Sequence, residues 1–285
     1  MRRMLAPVVE AARFVAAVVQ RYVNHEGGVL AGHIAYSGML SLMPFLIFAT
    51  ALAGFVVGPE ETTAALDAMF RALPEHVALT LKPVVLEVIG QRRSGILTVA
   101  ALGTIWAASN GVEAVRIALD RAYEGDIRRH FTLNRIFAIG IVLAGFVTFI
   151  LLGVLIVFAP LAFRLLDREM GVQIPFAADV VRYAISAGVL AAFLWKVHRV
   201  LPSRRMRGMR LWPGIAATVI VMILSGEAFS QYLAIAPNFA VTYGTMGGVV
   251  VTLLFFYITG VALILGAEVN AVVNAARLKQ PDPEE

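Results

Sequence analysis

AFSQYLAIAPNFAVTYGTMGGVVVTLLFFYITGVALILGA, residues Ala228 to Ala267, continues for 40 residues without a charged side chain. A helix needs about 20 residues to cross roughly 30 Å of hydrocarbon, so a single crossing cannot use the whole run. Pro237 and Asn238, then Tyr243 and Gly244, place helix breakers in its middle. The pattern predicts one helix over about 211–233 and a second over about 243–272, joined by a tight connection.

Working outward, uncharged runs also extend from Ile34 to Pro59, Ser94 to Val112 and Ile136 to Phe163, and no charge lies between Arg182 and Lys196. Spans are therefore expected at about 29–57, 94–117, 135–163, 180–201, 211–233 and 243–272. Lipid offers the backbone no hydrogen-bond partners, so such segments must be helices. The fold class is an all-α integral membrane protein: a six-transmembrane-helix bundle with short amphipathic interfacial helices.

Composition agrees. Hydrophobic residues make up 59% and charged residues 15% of the chain, with a mean hydropathy of +0.80; a soluble domain carries about 25% charge. The net charge of +5 and a pI near 9.8 raise nucleic acid as a partner, but the distribution of the charges explains them without it. With the N-terminus in the cytoplasm, 17 of the 24 Lys and Arg fall inside and 7 outside. Both termini are thus expected in the cytoplasm, with membrane lipids and no nucleic acid as partners. Cysteine is absent, which excludes disulfides and thiolate metal sites. No metal and no cofactor are expected.

Residues 1–28 read as a cytoplasmic amphipathic helix rather than a cleaved signal, because Arg2, Arg3, Glu10, Arg13 and Arg21 interrupt any apolar core. Leu5, Val8, Val9, Ala12, Val15, Ala16, Val19 and Val23 share one face, as an interfacial helix requires. The outer segment 59–93 reads as two short amphipathic helices divided at Pro74, and the tail 276–285 as disordered. The transmembrane domain is 29–275. Gly28 with Gly32, Gly54 with Gly58 and Gly244 with Gly248 offer small faces for close helix approach, between copies as well as within one. Pro44 is expected to kink the first span.

Polar side chains within a span are costly, so each invites a functional reading. Asn110, Glu113 and Arg116 follow at helical spacing and Asp120 lies four residues beyond Arg116, which makes one stripe near the inner end of the second span. It reads either as a headgroup-binding or gating site, or as an interfacial ion pair. His33, Tyr36 and Ser37 sit at similar depth in the first span, and Glu268 and Asn270 in the sixth. Facing helices would gather these groups into one inner-leaflet pocket, with Arg116 engaging an anionic group. Glu113 and Glu268 would orient it, and His33, Tyr36, Asn110 and Asn270 would complete the set. The alternative is that they bond the helices to one another. Glu227 and Gln231 form either a second, outer site or a structural pair. Lys196, His198, Arg199, Arg204, Arg205, Arg207 and Arg210 make the densest basic cluster, an anionic-headgroup surface or an orientation signal.

Several stretches carry a family pattern: Ala35-Tyr36-Ser37-Gly38-Met39-Leu40-Ser41-Leu42-Met43-Pro44, Trp106-Ala107-Ala108-Ser109-Asn110-Gly111 running on to Leu119 and Tyr123, and Leu201-Pro202-Ser203-Arg204-Arg205. Tyr243-Gly244-Thr245-Met246-Gly247-Gly248 and Leu265-Gly266-Ala267-Glu268-Val269-Asn270-Ala271 complete it. Over about residues 10 to 275 the chain resembles the YihY/BrkB family of bacterial inner-membrane proteins. Ser37 and Gly38 replace a commoner tyrosine-alanine pair, and Asp120 stands where asparagine is usual. The resemblance implies a six-helix bundle in the bacterial cytoplasmic membrane, concerned with envelope homeostasis and with transport of a lipid or amphipath.

The expected function is binding or translocation of an anionic lipid or amphipath, not catalysis. A non-transporting scaffold and a small-solute permease are the alternatives. A ribonuclease label also attaches to the family, but His25, His33, His76, His130 and His198 are scattered along the chain with no ligand motif. No nucleophile triad or phosphate-binding loop signature is present in the sequence either.

Overall fold

The computed structural model describes residues 2–56, 94–125, 131–158, 176–204, 208–235 and 246–278. Seven α-helices fill them: α1 (Arg2–Asn24), α2 (Gly27–Val56), α3 (Ser94–Ala122), α4 (Phe131–Gly153), α5 (Phe176–Val200), α6 (Trp212–Ile235) and α7 (Met246–Leu278). A π-helical turn, Val154–Phe158, continues α4. The expected segment 59–93, the outer end of the third span beyond 158, the break at Pro237 to Gly244 and the tail from 279 lie outside the described residues.

Several boundaries differ from the sequence reading. The N-terminal helix ends at Asn24 and the first span already begins at Gly27, because Glu26 takes a left-handed conformation (φ 58°) that turns the chain. Gly27 follows because a Cβ there would run into the Tyr22 ring. Helix α3 continues to Ala122, beyond the expected 117, since the pairing of Arg116 with Asp120 supports one more turn. Residues 276–278, expected in the tail, continue α7.

Among the described residues, five helical segments are long and apolar enough to cross a membrane: Gly27–Leu46, Thr132–Ile156, Val180–Val200, Trp212–Tyr232 and Gly247–Ala276. Helix α3 is not among them, as Asn110, Glu113, Arg116 and Asp120 dilute its apolar content. It nonetheless packs along α2, where the Thr104 hydroxyl donates to the Pro44 carbonyl at 2.5 Å.

Helix α7 is the hub, touching α1, α2, α3 and α6. Its approach to α6 depends on glycine: a Cβ on Gly214 would collide with the Gly266 carbonyl and the Asn270 side chain, and one on Gly266 with Thr218. Gly260 lies close to α2, though less tightly, where an added Cβ would sit 3.1 Å from the Ala31 backbone. Gly28 faces α7, where a Cβ would sit 3.5 Å from the Tyr257 hydroxyl, whereas Gly32 has open space in front of it.

The largest apolar core gathers Leu119, Tyr123, Leu194, Leu201, Ile215 and Leu263, from the end of the bundle where α1 lies. Away from it the helices turn large apolar side chains outward, among them Ile136, Val147, Ile150, Ile185, Ile223 and Leu224. A soluble surface does not carry such continuous apolar area; a lipid-facing one does.

Candidate functional site

The α1 end of the bundle holds three polar networks. In the first, the fully buried Glu268 receives Arg21 Nε at 2.9 Å on one oxygen and lies 2.6 Å from His25 Nδ1 with the other. Arg21 Nη2 also donates to the Ala122 carbonyl (3.0 Å), and Nη1 lies 3.0 Å from Glu124. Ala122 ends α3, so one guanidinium satisfies a helix-end carbonyl and ties α1, α3 and α7 together. Burial opposes the charge of Arg21, but Glu268 and then Glu124 outweigh it and raise the pKa above its ordinary value.

In the second, the Gly214 amide donates to Asn270 Oδ1 at 2.7 Å, which fixes the orientation of that amide group. Asn270 Nδ2 then donates to the Tyr123 hydroxyl at 3.1 Å, and this hydroxyl lies 2.7 Å from His198 Nδ1. With its oxygen accepting from Asn270, Tyr123 donates to Nδ1, and the imidazole proton resides on Nε2. That nitrogen is buried and has no partner among the described residues. Burial raises the pKa of the Tyr123 hydroxyl. One turn on, Asn274 exchanges hydrogen bonds with the backbone of Arg210, its Oδ1 accepting from the amide and its Nδ2 donating to the carbonyl, each at 2.9 Å.

The third is the stripe on α3. Arg116 grips Glu113 with Nε (2.9 Å) and Nη2 (2.6 Å), and Asp120 with Nη1 (2.5 Å). Asp120 in turn accepts the Ser203 amide (2.6 Å) and hydroxyl (3.0 Å), pinning the loop after α5. All three nitrogens of the guanidinium group are thus engaged within the protein.

A fourth group lies on the side of the bundle, between α3 and α4. Arg135 Nη1 donates to Asn110 Oδ1 at 3.1 Å, and its Cζ stands 4.2 Å above the ring of Trp106, which is 66% exposed. Its Nη2 and the neighbouring Asn134 Oδ1 have no partner among the described residues. Among the described residues no carboxylate pairs with Arg135, and its contacts there are an amide oxygen and an aromatic face.

Among the described residues the candidates fall into separate hydrogen-bonded groups. Glu113, Arg116 and Asp120 meet as their spacing requires, but no side-chain hydrogen bond or ion pair between described residues joins them to Glu268. His33 and Tyr36 are exposed. Asn270 serves α6 and Tyr123, and Asn110 serves Arg135. Of the basic cluster, Lys196, Arg199, Arg204 and Arg210 are exposed, with Arg204 Nη1 donating to the Tyr123 carbonyl at 2.9 Å; Arg205 and Arg207 lie outside the described residues. His198, grouped with them by sequence, is instead fully buried. Glu227 accepts from Gln231 Nε2 at 3.0 Å on an exposed helix face. Sequence reading missed Arg21, His25, Tyr123, Trp106 and Arg135 as partners. The only signal for the first two was their spacing of four, which sets both on the same side of the chain as α1 closes.

A family model described as virulence factor BrkB matches residues 18–285. Among curated proteins, a putative ribonuclease-like protein YfkH of Bacillus subtilis is 29% identical over 94% of this chain and 98% of its own length. A UPF0761 membrane protein of Pseudoalteromonas atlantica is 24% identical over 90% of the chain and 85% of its own length. One of Coxiella burnetii is likewise 24% identical, over 91% and 93% respectively. No solved structure matches the chain.

Proposed function

The chain belongs to the virulence factor BrkB family, and on that premise we propose that it binds or translocates an anionic lipid or amphipath in the bacterial cytoplasmic membrane, without catalysing a reaction. In this reading α3 is the sixth span beside the five apolar helices: its 29 residues reach about 43 Å, and it packs along α2. The excess of arginine at the α1 end sets that end, with both termini, in the cytoplasm.

The observation that carries the proposal is Arg135, set over Trp106 and bonded to Asn110, with no carboxylate partner among the described residues. On a lateral face next to lipid, a guanidinium without a carboxylate is disfavoured, and an anion beside it offsets that cost. A phosphate or carboxylate headgroup would complement the charge of this cation, while the exposed Trp106 ring offers an amphipathic surface of the kind that sits at headgroup level. Arg116, the cation expected from sequence to take this role, has its donors occupied by Glu113 and Asp120. Lys196, Arg199 and Arg210 would raise the local concentration of anionic headgroups, each by about 1 kcal/mol of attraction.

The name of the Bacillus relative points to RNA chemistry, but nothing in the described site resembles a nuclease centre. The test uses an anionic phospholipid bearing a photoreactive acyl chain, reconstituted with the full chain. Crosslinks are expected to concentrate on the peptides carrying Trp106 to Asn110 and Asn134 to Phe137, and to be displaced by unlabelled anionic lipid but not by phosphatidylcholine. Labelling spread evenly over the exposed faces of α4, α5 and α6 would overturn the assignment.

A further inference from the structure

Helix α1 divides into three sectors, read by the 100° step between residues. Val18, buried at 6% exposure, faces the bundle, flanked by Tyr22 and Arg21. Val9, Ala12, Val15, Ala16, Val19 and Val23 occupy a stripe centred about 120° round the axis from Val18, and all six are exposed. Glu10, Arg13, Gln20 and Asn24 take the remaining sector. A helix lying in solution against a protein needs only the first and the last of these. A third, apolar and open, calls for a second apolar phase beside the bundle.

Its position identifies that phase. Only His25 and Glu26 separate α1 from α2, the first of the apolar spans, so the Val23 end of the stripe lies where a span enters the bilayer. Val29, one turn into that span, is 71% exposed and lipid-facing in the same reading. The angle between the two helices is held by the Tyr22 ring against Gly27 and by the clamp of Arg21 and His25 on Glu268. The sequence of α1 is cationic, with Arg2, Arg3, Arg13 and Arg21 against Glu10, which complements an anionic inner leaflet.

We infer that α1 is a leaflet-docked arm: its stripe from Val9 to Val23 lies among the inner-leaflet headgroups and upper acyl chains, while Arg21 and His25 clamp its flank to Glu268 of the last span. The arm ties the lipid surface to α7, the helix that touches α1, α2, α3 and α6. This inference rests on the membrane orientation and not on the lipid site at Arg135, so the two stand or fall separately.

The chain has no cysteine, which makes single-site labelling direct. Val15→Cys, Val19→Cys and Gln20→Cys, each spin-labelled in the full chain and reconstituted in nanodiscs of phosphatidylethanolamine and phosphatidylglycerol, give the depth of each position by relaxation with oxygen and with a nickel chelate. Labels at 15 and 19 are expected to favour oxygen, and the label at 20 the chelate. Equal, chelate-favouring relaxation at all three positions overturns the inference. So does spin–spin broadening at Val15→Cys that disappears on dilution with unlabelled protein, because it would make a second copy of the chain the occupant of the stripe. Placing the label at an outward position keeps the test independent of Val18 and Arg21, whose substitution endangers folding.

Discussion

Both carboxylate oxygens of Glu268 are matched, one to Arg21 and one to His25, in a place where solvent does not reach. Arg135, on the side of the bundle, has an amide oxygen, an aromatic face and an unpaired nitrogen. Both regions hold a charged side chain between helices, yet one is closed and, among the described residues, the other is open. A closed network holds helices in register and has no capacity left for a ligand. An open one keeps the capacity for a partner, and that difference separates a fastening from a binding site.

The contrast breaks most readily at Arg21. Arg21→Ala leaves a buried carboxylate with only His25, so a loss of about 3–5 kcal/mol is expected, seen as a large fall in thermal unfolding temperature in detergent with lipid adducts unchanged on whatever protein remains folded. An unaltered transition would mean that Glu268 is not fastened by α1. Gly214→Ala comes next: the added methyl meets the Gly266 carbonyl and Asn270, and overpacking of this kind costs about 1–3 kcal/mol. A loss no greater than that of Gly226→Ala, which has open space, would contradict the close approach of α6 and α7.

Tyr123→Phe removes the hydroxyl that Asn270 and His198 share, with an expected cost of about 1–2 kcal/mol by the same unfolding assay. If the second network were slack, the loss would fall within error. The smallest stability effect belongs to Arg135→Gln, within about 0.5 kcal/mol, since the cation has no ion pair among the described residues to lose. Its effect on bound anionic lipid is expected to be the greatest of the four.

Much of the fold is legible in composition. A 40-residue uncharged run can only be divided between two helices, and the charge asymmetry follows from counting. The stripe Asn110 to Asp120 is legible too, because partners three and four residues apart are neighbours on any helix. What spacing cannot supply is the partner across the chain. Arg21 and Glu268 are separated by 247 positions, and no local pattern shows that the last turn of α1 reaches α7. His198 reads as one more base in a basic loop, yet it lies in the last turn of α5 and packs against Tyr123. Arg135 looks like an orientation charge because its partner Asn110 is 25 residues away, on the far side of a helix connection.

Native mass spectrometry of the protein released from mild detergent, comparing the unaltered chain with Arg135→Gln and Arg116→Gln, tests the contrast most directly. The expected result is an anionic lipid adduct on the unaltered chain, lost by about tenfold in Arg135→Gln and retained by whatever Arg116→Gln protein folds, the tenfold loss corresponding to about 1.4 kcal/mol of headgroup contact. Equal adducts on Arg135→Gln and the unaltered chain, or an adduct lost only in Arg116→Gln, would contradict it.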